Sequence, residues 1–199
     1  GALTPWQAIG LTFDESTCPL ADVDLIVSGE NLGLHSWTID VGRDETIEID
    51  GIRTHLVSGS STGRTTSAIA SQRIVGLDHV VVNTDDIDRT TSAITAALGL
   101  EVRRERQLGN GAVQRFHKLD NTIIEVVSGP HVKEAGASLW GMVASVDDLF
   151  DLADGLGEDI TSPPKKATQA GRYISTVRGS VGLGVPFALM TPHVRTDND

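Results

Sequence analysis

Cysteine is almost absent from this 199-residue chain: Cys18 stands alone, so no disulfide can form within it. A fold held without disulfides suits a reducing compartment, and the expected location is the cytoplasm. Aromatic residues are scarce at 4%, so the core must be built from Val, Ile, Leu and Ala. Cationic charge is also in short supply, with 16 Lys and Arg against 27 Asp and Glu and a net charge of −11. That balance excludes nucleic acid and anionic membrane surfaces as partners, since both demand a cationic footprint. No apolar run approaches the ~18 residues of a membrane span, and no signal peptide is visible. Phosphate loops, nucleophile elbows, zinc-finger spacings and the His-Glu-x-x-His pattern are all missing. What is present, 39% hydrophobic and 22% charged residues, is enough for a packed core.

Residues 1–60 read as a small all-β segment. Ala8 to Phe13, Val23 to Val27, Leu34 to Ile39 and Ile47 to Ile49 are short runs with partial period-2 alternation, parted by Gly29, Gly33 and Gly42. Asp50-Gly51 is a hairpin signal between Ile47–Ile49 and Ile52–Val57. A Ser-, Thr-, Gly- and Ala-rich linker follows over 61–73.

From residue 74 the pattern changes. Leu77-Asp78-His79-Val80-Val81-Val82-Asn83 is an apolar strand carrying one histidine, and Asp85 or Asp86 caps a helix that ends at Leu98-Gly99. Three strands follow, at Glu101–Glu105, Ala112–Leu119 and Thr122–Val127, so that 74–130 has the order β-α-β-β-β. The order then repeats over 138–193. Leu139 to Asp148 aligns without a gap on Leu77 to Asp86, and the helix ends at Leu156-Gly157. Strands are expected at Ile160–Ser162, Tyr173–Val177 and Pro186–Met190. Two copies of one unit indicate a duplicated module rather than a repeat array. The predicted fold class is α+β: two βαβββ modules forming a cupped mixed sheet, preceded by the β-rich segment.

The strand histidine in Leu77-Asp78-His79-Val80-Val81-Val82-Asn83-Thr84-Asp85-Asp86, the Ala97-Leu98-Gly99-Leu100-Glu101 helix end and the Thr122-Ile123-Ile124-Glu125-Val126-Val127-Ser128 strand together resemble the vicinal oxygen chelate superfamily. That group includes glyoxalase I, extradiol dioxygenases, methylmalonyl-CoA epimerase and bleomycin resistance proteins. The resemblance covers roughly residues 74–193 and is nearest to glyoxalase-like domain proteins. It implies two modules packed as a cup, with metal ligands on the first and last strands of each. A divalent ion there holds vicinal oxygens of a substrate and stabilises an anion formed from it.

On this resemblance His79 and Glu125 match the first module's ligand positions, and the donor types suit Fe, Mn, Zn, Ni or Co. Glu125 is the one polar group on the face it shares with Ile123 and Val127, so it needs a partner. A metal, a substrate donor or a simple His79–Glu125 hydrogen bond would each provide one. In the second module Gly141 and Ala188 occupy the matching positions and cannot ligate; His35 and His55 read more simply as ordinary histidines. A two-residue Asp120-Asn121 turn pairs Phe116 with Glu125, which puts Gln114, Phe116 and Lys118 beside Glu125 and His117 on the opposite face. Asn83 shares the face of His79. Trp140 points away from Gly141 and is expected to pack under a helix; Lys165-Lys166 reads as a solvated loop, and Gly179–Gly184 as a hairpin loop rather than a dinucleotide site.

Three readings follow. The first is a divalent-metal-dependent lyase, isomerase or dioxygenase acting on a small oxygen-rich molecule, with Glu125 as ligand and proton carrier. The second is a metal-free protein that binds or sequesters a small molecule through a degenerate site. The third gives the N-terminal segment a structural or partner-binding role. Paired modules of this type are compatible with a homodimer.

Overall fold

The period-2 alternation of two long strands decides how everything else packs. In the computed structural model, which describes residues 2–29, 32–59 and 73–193, β6 spans Ile74–Thr84 and β10 spans Ala137–Val146. The chain divides into two units, and each of these strands passes from one into the other, after Asp78 and after Gly141.

The unit formed by residues 33–59 and 79–141 among those described holds the first module from His79 onward. Its N-terminal part is a three-stranded sheet of β3 (Trp37–Asp40), β4 (Glu45–Ile49) and β5 (Ile52–Val57), in the order β3-β5-β4. The β4–β5 hairpin turns at Asp50-Gly51, where φ is 50° and 89°. Two successive left-handed residues are what a tight turn matched to strand twist requires. The module continues with α2 (Ile87–Leu98; α1 is Thr4–Ala8), β7 (Val102–Gln107), β8 (Val113–Leu119) and β9 (Thr122–Ser128). Strand order is β6-β9-β8-β7, with β6 and β9 parallel. Asp86 caps α2 by accepting from the Arg89 N–H at 3.0 Å, and Gly99 ends it in the left-handed region at φ 71°. Such a cap is worth about 1 kcal/mol. Val82, Ile124 and Val126 meet Ile94 of α2 on one sheet face, joined by Ile49 and Ile52 of the hairpin. The Asp50 carboxylate accepts from Arg89 Nε at 2.7 Å and from the Thr90 hydroxyl, tying the hairpin turn to the first turn of α2. Arg89 also reaches Asp85 at 2.5 Å, which holds that carboxyl below its ordinary range.

The other unit contains residues 2–29, 32, 73–78 and 142–193 among those described. It carries α1, the hairpin of β1 (Thr17–Leu20) and β2 (Val23–Ile26), then α3 (Leu149–Leu156), β11 (Lys165–Lys166), β12 (Tyr173–Thr176) and β13 (Phe187–Met190). The second-module order is β10-β13-β12-β11. Trp6 of α1 meets Phe187 edge-on, with ring centroids 5.5 Å apart. A fully buried guanidinium, Arg172, forks onto the Asp78 carboxylate and donates to the Thr191 carbonyl at 2.8 Å. The fold class is therefore α+β with two βαβββ modules in mixed sheets.

Several elements differ from the sequence expectation. The segment before residue 60 is not wholly β: Pro5 sits in the first turn of α1, where its fixed φ favours helix and its missing N–H costs nothing. Residues 9–13 then run on as turn and irregular backbone rather than strand. The Ile160–Ser162 strand shrinks to an isolated bridge between Thr161 and Val177, and Lys165-Lys166 takes the edge position instead of a loop. Trp140 is 49% exposed, not covered by a helix. The predicted linker at 61–73 lies outside the described residues except for Arg73.

His117 lies on the helix side of β8 with no exposed surface. Its Nδ1 is 2.8 Å from the Leu100 carbonyl, and its Nε2 has no partner among the described residues. Burial penalises the imidazolium and lowers its pKa from the ordinary 6.5. The unfolded chain therefore takes up this proton first. Stability is complete above pH 6.5 and falls as the pH drops below it, by up to ~1.4 kcal/mol per pH unit for this group. Urea unfolding between pH 5 and 8 should show that loss, and His117→Leu should flatten it. An equal acid slope in the variant would assign the effect elsewhere.

Candidate functional site

On β6, Val80 and Val82 turn toward the α2 core, so His79, Val81 and Asn83 occupy the opposite face. On β9, Ile124 and Val126 face the core, which leaves Ile123, Glu125 and Val127 beside the β6 trio. The parallel register pairs His79 with Ile123, Val81 with Glu125 and Asn83 with Val127. Glu125 thus stands next to Val81, one diagonal step from His79. The β8–β9 hairpin has the expected two-residue register, pairing Phe116 with Glu125, Gln114 with Val127 and Lys118 with Ile123. Asp120 opens that turn at φ 48°, a region that Asp tolerates.

Three strands consequently bring three polar side chains together. His79 Nε2 lies 3.2 Å from Glu125 Oε2, and the two side chains are only 8% and 11% exposed. Gln114 Nε2 donates to Glu125 Oε1 at 2.5 Å. Both carboxylate oxygens are thereby engaged, as a buried carboxylate requires. Val81 and Val127, both buried, flank the cluster. In that apolar setting the imidazole and the carboxyl group are in direct contact. That is the geometry of an acid–base pair. Gln114 Oε1, by contrast, is buried and has no hydrogen-bond partner among the described residues.

The remaining residues anticipated from sequence fall into place by register. Asn83 and Phe116 are partly buried on the site face, and Lys118 is exposed at its border. His117 points to the other side, against Leu100. His55 lies on β5, where its Nδ1 meets the Thr46 hydroxyl at 3.1 Å. Two arginines were missed. Arg104 pairs with Phe116 and Arg106 with Gln114, so both project on the site face of the edge strand β7. The signal was the alternation in Val102-Arg103-Arg104-Glu105-Arg106-Gln107. It was obscured because a register shift between Val102 and Arg104 resets the alternation.

The family resemblance implies a divalent ion here. Metal–ligand bonds of ~2.1 Å at tetrahedral or octahedral angles place two donors about 3.0–3.4 Å apart, and the His79–Glu125 separation falls in that interval. The donor set is nevertheless too small. Catalytic ions of this kind keep three protein ligands, and no group of three His, Cys, Asp or Glu side chains among the described residues is placed to hold a metal ion. Gln114 turns its N–H, not its oxygen, toward the carboxylate. The second module adds nothing. Val143 pairs with Ala188 as Val81 pairs with Glu125, which fixes Ala188 as the equivalent of Glu125. Ala188 lies in an apolar cluster with Val143 and Met190. These residues do not fit a resident ion.

No family model and no curated protein matches the sequence. Among solved structures, the chain is similar to methylmalonyl-CoA epimerase from Mycobacterium tuberculosis, with 18% identity over 61% of this chain and 91% of that one, and a TM-score of 0.51. It is also similar to a hypothetical protein from Bacillus halodurans C-125, with 15% identity over 61% and 97% of the two chains, and again a TM-score of 0.51. The likeness is one of fold: the chain shares the βαβββ-module architecture of these structures.

A buried polar cluster kept for stability and one kept for binding respond differently to removal. His79→Leu leaves Glu125 short of a donor and should cost about 1–3 kcal/mol in urea unfolding. The triple variant His79→Leu/Gln114→Leu/Glu125→Leu replaces the whole cluster by apolar groups of similar size. It should be at least as stable as the native protein. A triple variant less stable than His79→Leu would mean that the cluster serves the fold.

Proposed function

We propose that the chain binds a small oxygen-rich molecule at His79, Glu125 and Gln114, and that it does so without a resident metal ion. The observation that carries this reading is the buried Gln114 Oε1 with no partner, beside a carboxylate already satisfied by two donors. A ligand hydroxyl supplies the missing donor. A carbonyl oxygen on the neighbouring ligand carbon then lies near His79, whose ring can donate to it. The Glu125 carboxylate, held by His79 and Gln114, is placed to take a proton from a carbon next to that carbonyl. Asn83 and Phe116 border the bound molecule. The reading spans binding alone and binding followed by proton transfer; the same three groups carry both.

A second reading keeps the metal. It rests on the 3.2 Å separation of His79 Nε2 and Glu125 Oε2, which two ligands of one ion would also show. The named epimerase of the same fold makes isomerisation at a carbon beside a carbonyl the comparison for it. A ligand from outside the described residues would have to complete the site.

Hydroxyacetone is a neutral probe with both oxygens. In the presence of EDTA it should shift the amide signals of Val81, Gln114 and Glu125 saturably, with affinity at least tenfold weaker in Glu125→Leu. Metal content of the purified protein should be far below one equivalent and unchanged by His79→Ala or Glu125→Gln. Binding that appears only with added Mn²⁺, together with a stoichiometric ion lost in either variant, would favour the second reading.

A further inference from the structure

The geometry points to a second contact region for the same ligand: an oxyanion-binding rim formed by Arg104, Arg106 and Lys118. It rests on the proposed binding at Glu125 and adds the ligand's charge. The register runs in rows across the sheet. Glu125 is opposite Phe116, and Phe116 is opposite Arg104; Val127 is opposite Gln114, and Gln114 is opposite Arg106. Lys118, opposite Ile123, borders the same face. Directly opposed residues share a face, so all three cations stand on the side of the sheet that carries Glu125. Arg104 lies two strands from it, about 10 Å at the backbone.

Three properties separate this rim from an edge charged merely to discourage strand pairing. The chain has 27 acidic against 16 basic residues, yet the rim is cationic only. Its neighbour of opposite sign, Glu105, projects to the other face, where it binds Arg115 at 2.8 Å, and Arg115 in turn reaches Asp88 at 2.6 Å. Arg104, Arg106 and Lys118 themselves have no ion pair among the described residues. Paired guanidinium groups on alternate residues of one strand suit a phosphate or carboxylate, which they can grip with two N–H donors each. Phe116, between rim and cluster, gives the intervening atoms an apolar surface. The ligand class is a small molecule with an oxygen-rich end, a short apolar middle and an anionic group about 10 Å away.

Inorganic phosphate tests the rim by itself. At low salt it should cause saturable amide shifts over residues 102–107 and 113–119. Affinity should fall at least tenfold in Arg104→Gln/Arg106→Gln and stay unchanged in Lys165→Gln/Lys166→Gln. Circular dichroism of each variant checks its fold. Shifts that do not saturate, equal affinity in the double arginine variant, or loss in the lysine variant would overturn the rim. Because phosphate needs neither Glu125 nor Gln114, such a failure leaves the hydroxyacetone result standing. Failure of hydroxyacetone to bind, conversely, leaves the phosphate result readable.

Discussion

The parallel pairing of β6 with β9, in the register Val81 to Glu125, is the constraint on which the first module depends. Side chains alternate faces along a strand, so one register sends Val82, Ile124 and Val126 into the α2 core and His79 and Glu125 to the other side. A shift by one residue would bury a histidine and a carboxylate against Ile94 and expose the valines. The apolar face therefore fixes the polar one. The site needs no binding energy of its own to be assembled, because the core assembles it.

The same register in the second module produces a different surface. Val143 and Ala188 stand where Val81 and Glu125 stand in the first, within an apolar cluster that includes Met190. The two modules thus share a strand register, while only the first carries a histidine and a glutamate at these positions. This asymmetry, more than the identity of any single residue, separates a half-site from a complete ligand set.

Much of this was legible in the sequence. Strand alternation, the Asp86 cap, the Gly99 terminus and the two-residue Asp120-Asn121 turn are local signals, and each found its structural counterpart. From them came the placement of Gln114 and Phe116 beside Glu125 and of His117 away from it. Less legible were features set by long-range contact. The short helix at Thr4–Ala8 depends on Trp6 meeting Phe187, far along the chain. The exposure of Trp140 follows from what happens not to cover it, which no local pattern records. The Asp78–Arg172 pair joins residues 94 apart. The projection of Arg104 and Arg106 hinged on a register shift at Arg103, and a single extra residue of that kind inverts any face assigned by counting.

In the proposed reading His79 and Glu125 satisfy each other and Gln114 accepts from a ligand hydroxyl, with no resident ion between them. Anomalous diffraction from crystals grown with excess Mn²⁺ tests it most directly. The expected result is no Mn peak within bonding distance of His79 Nε2 and Glu125 Oε2, and an ordered water or ligand hydroxyl donating to Gln114 Oε1. A full-occupancy Mn peak coordinated by both side chains would contradict it.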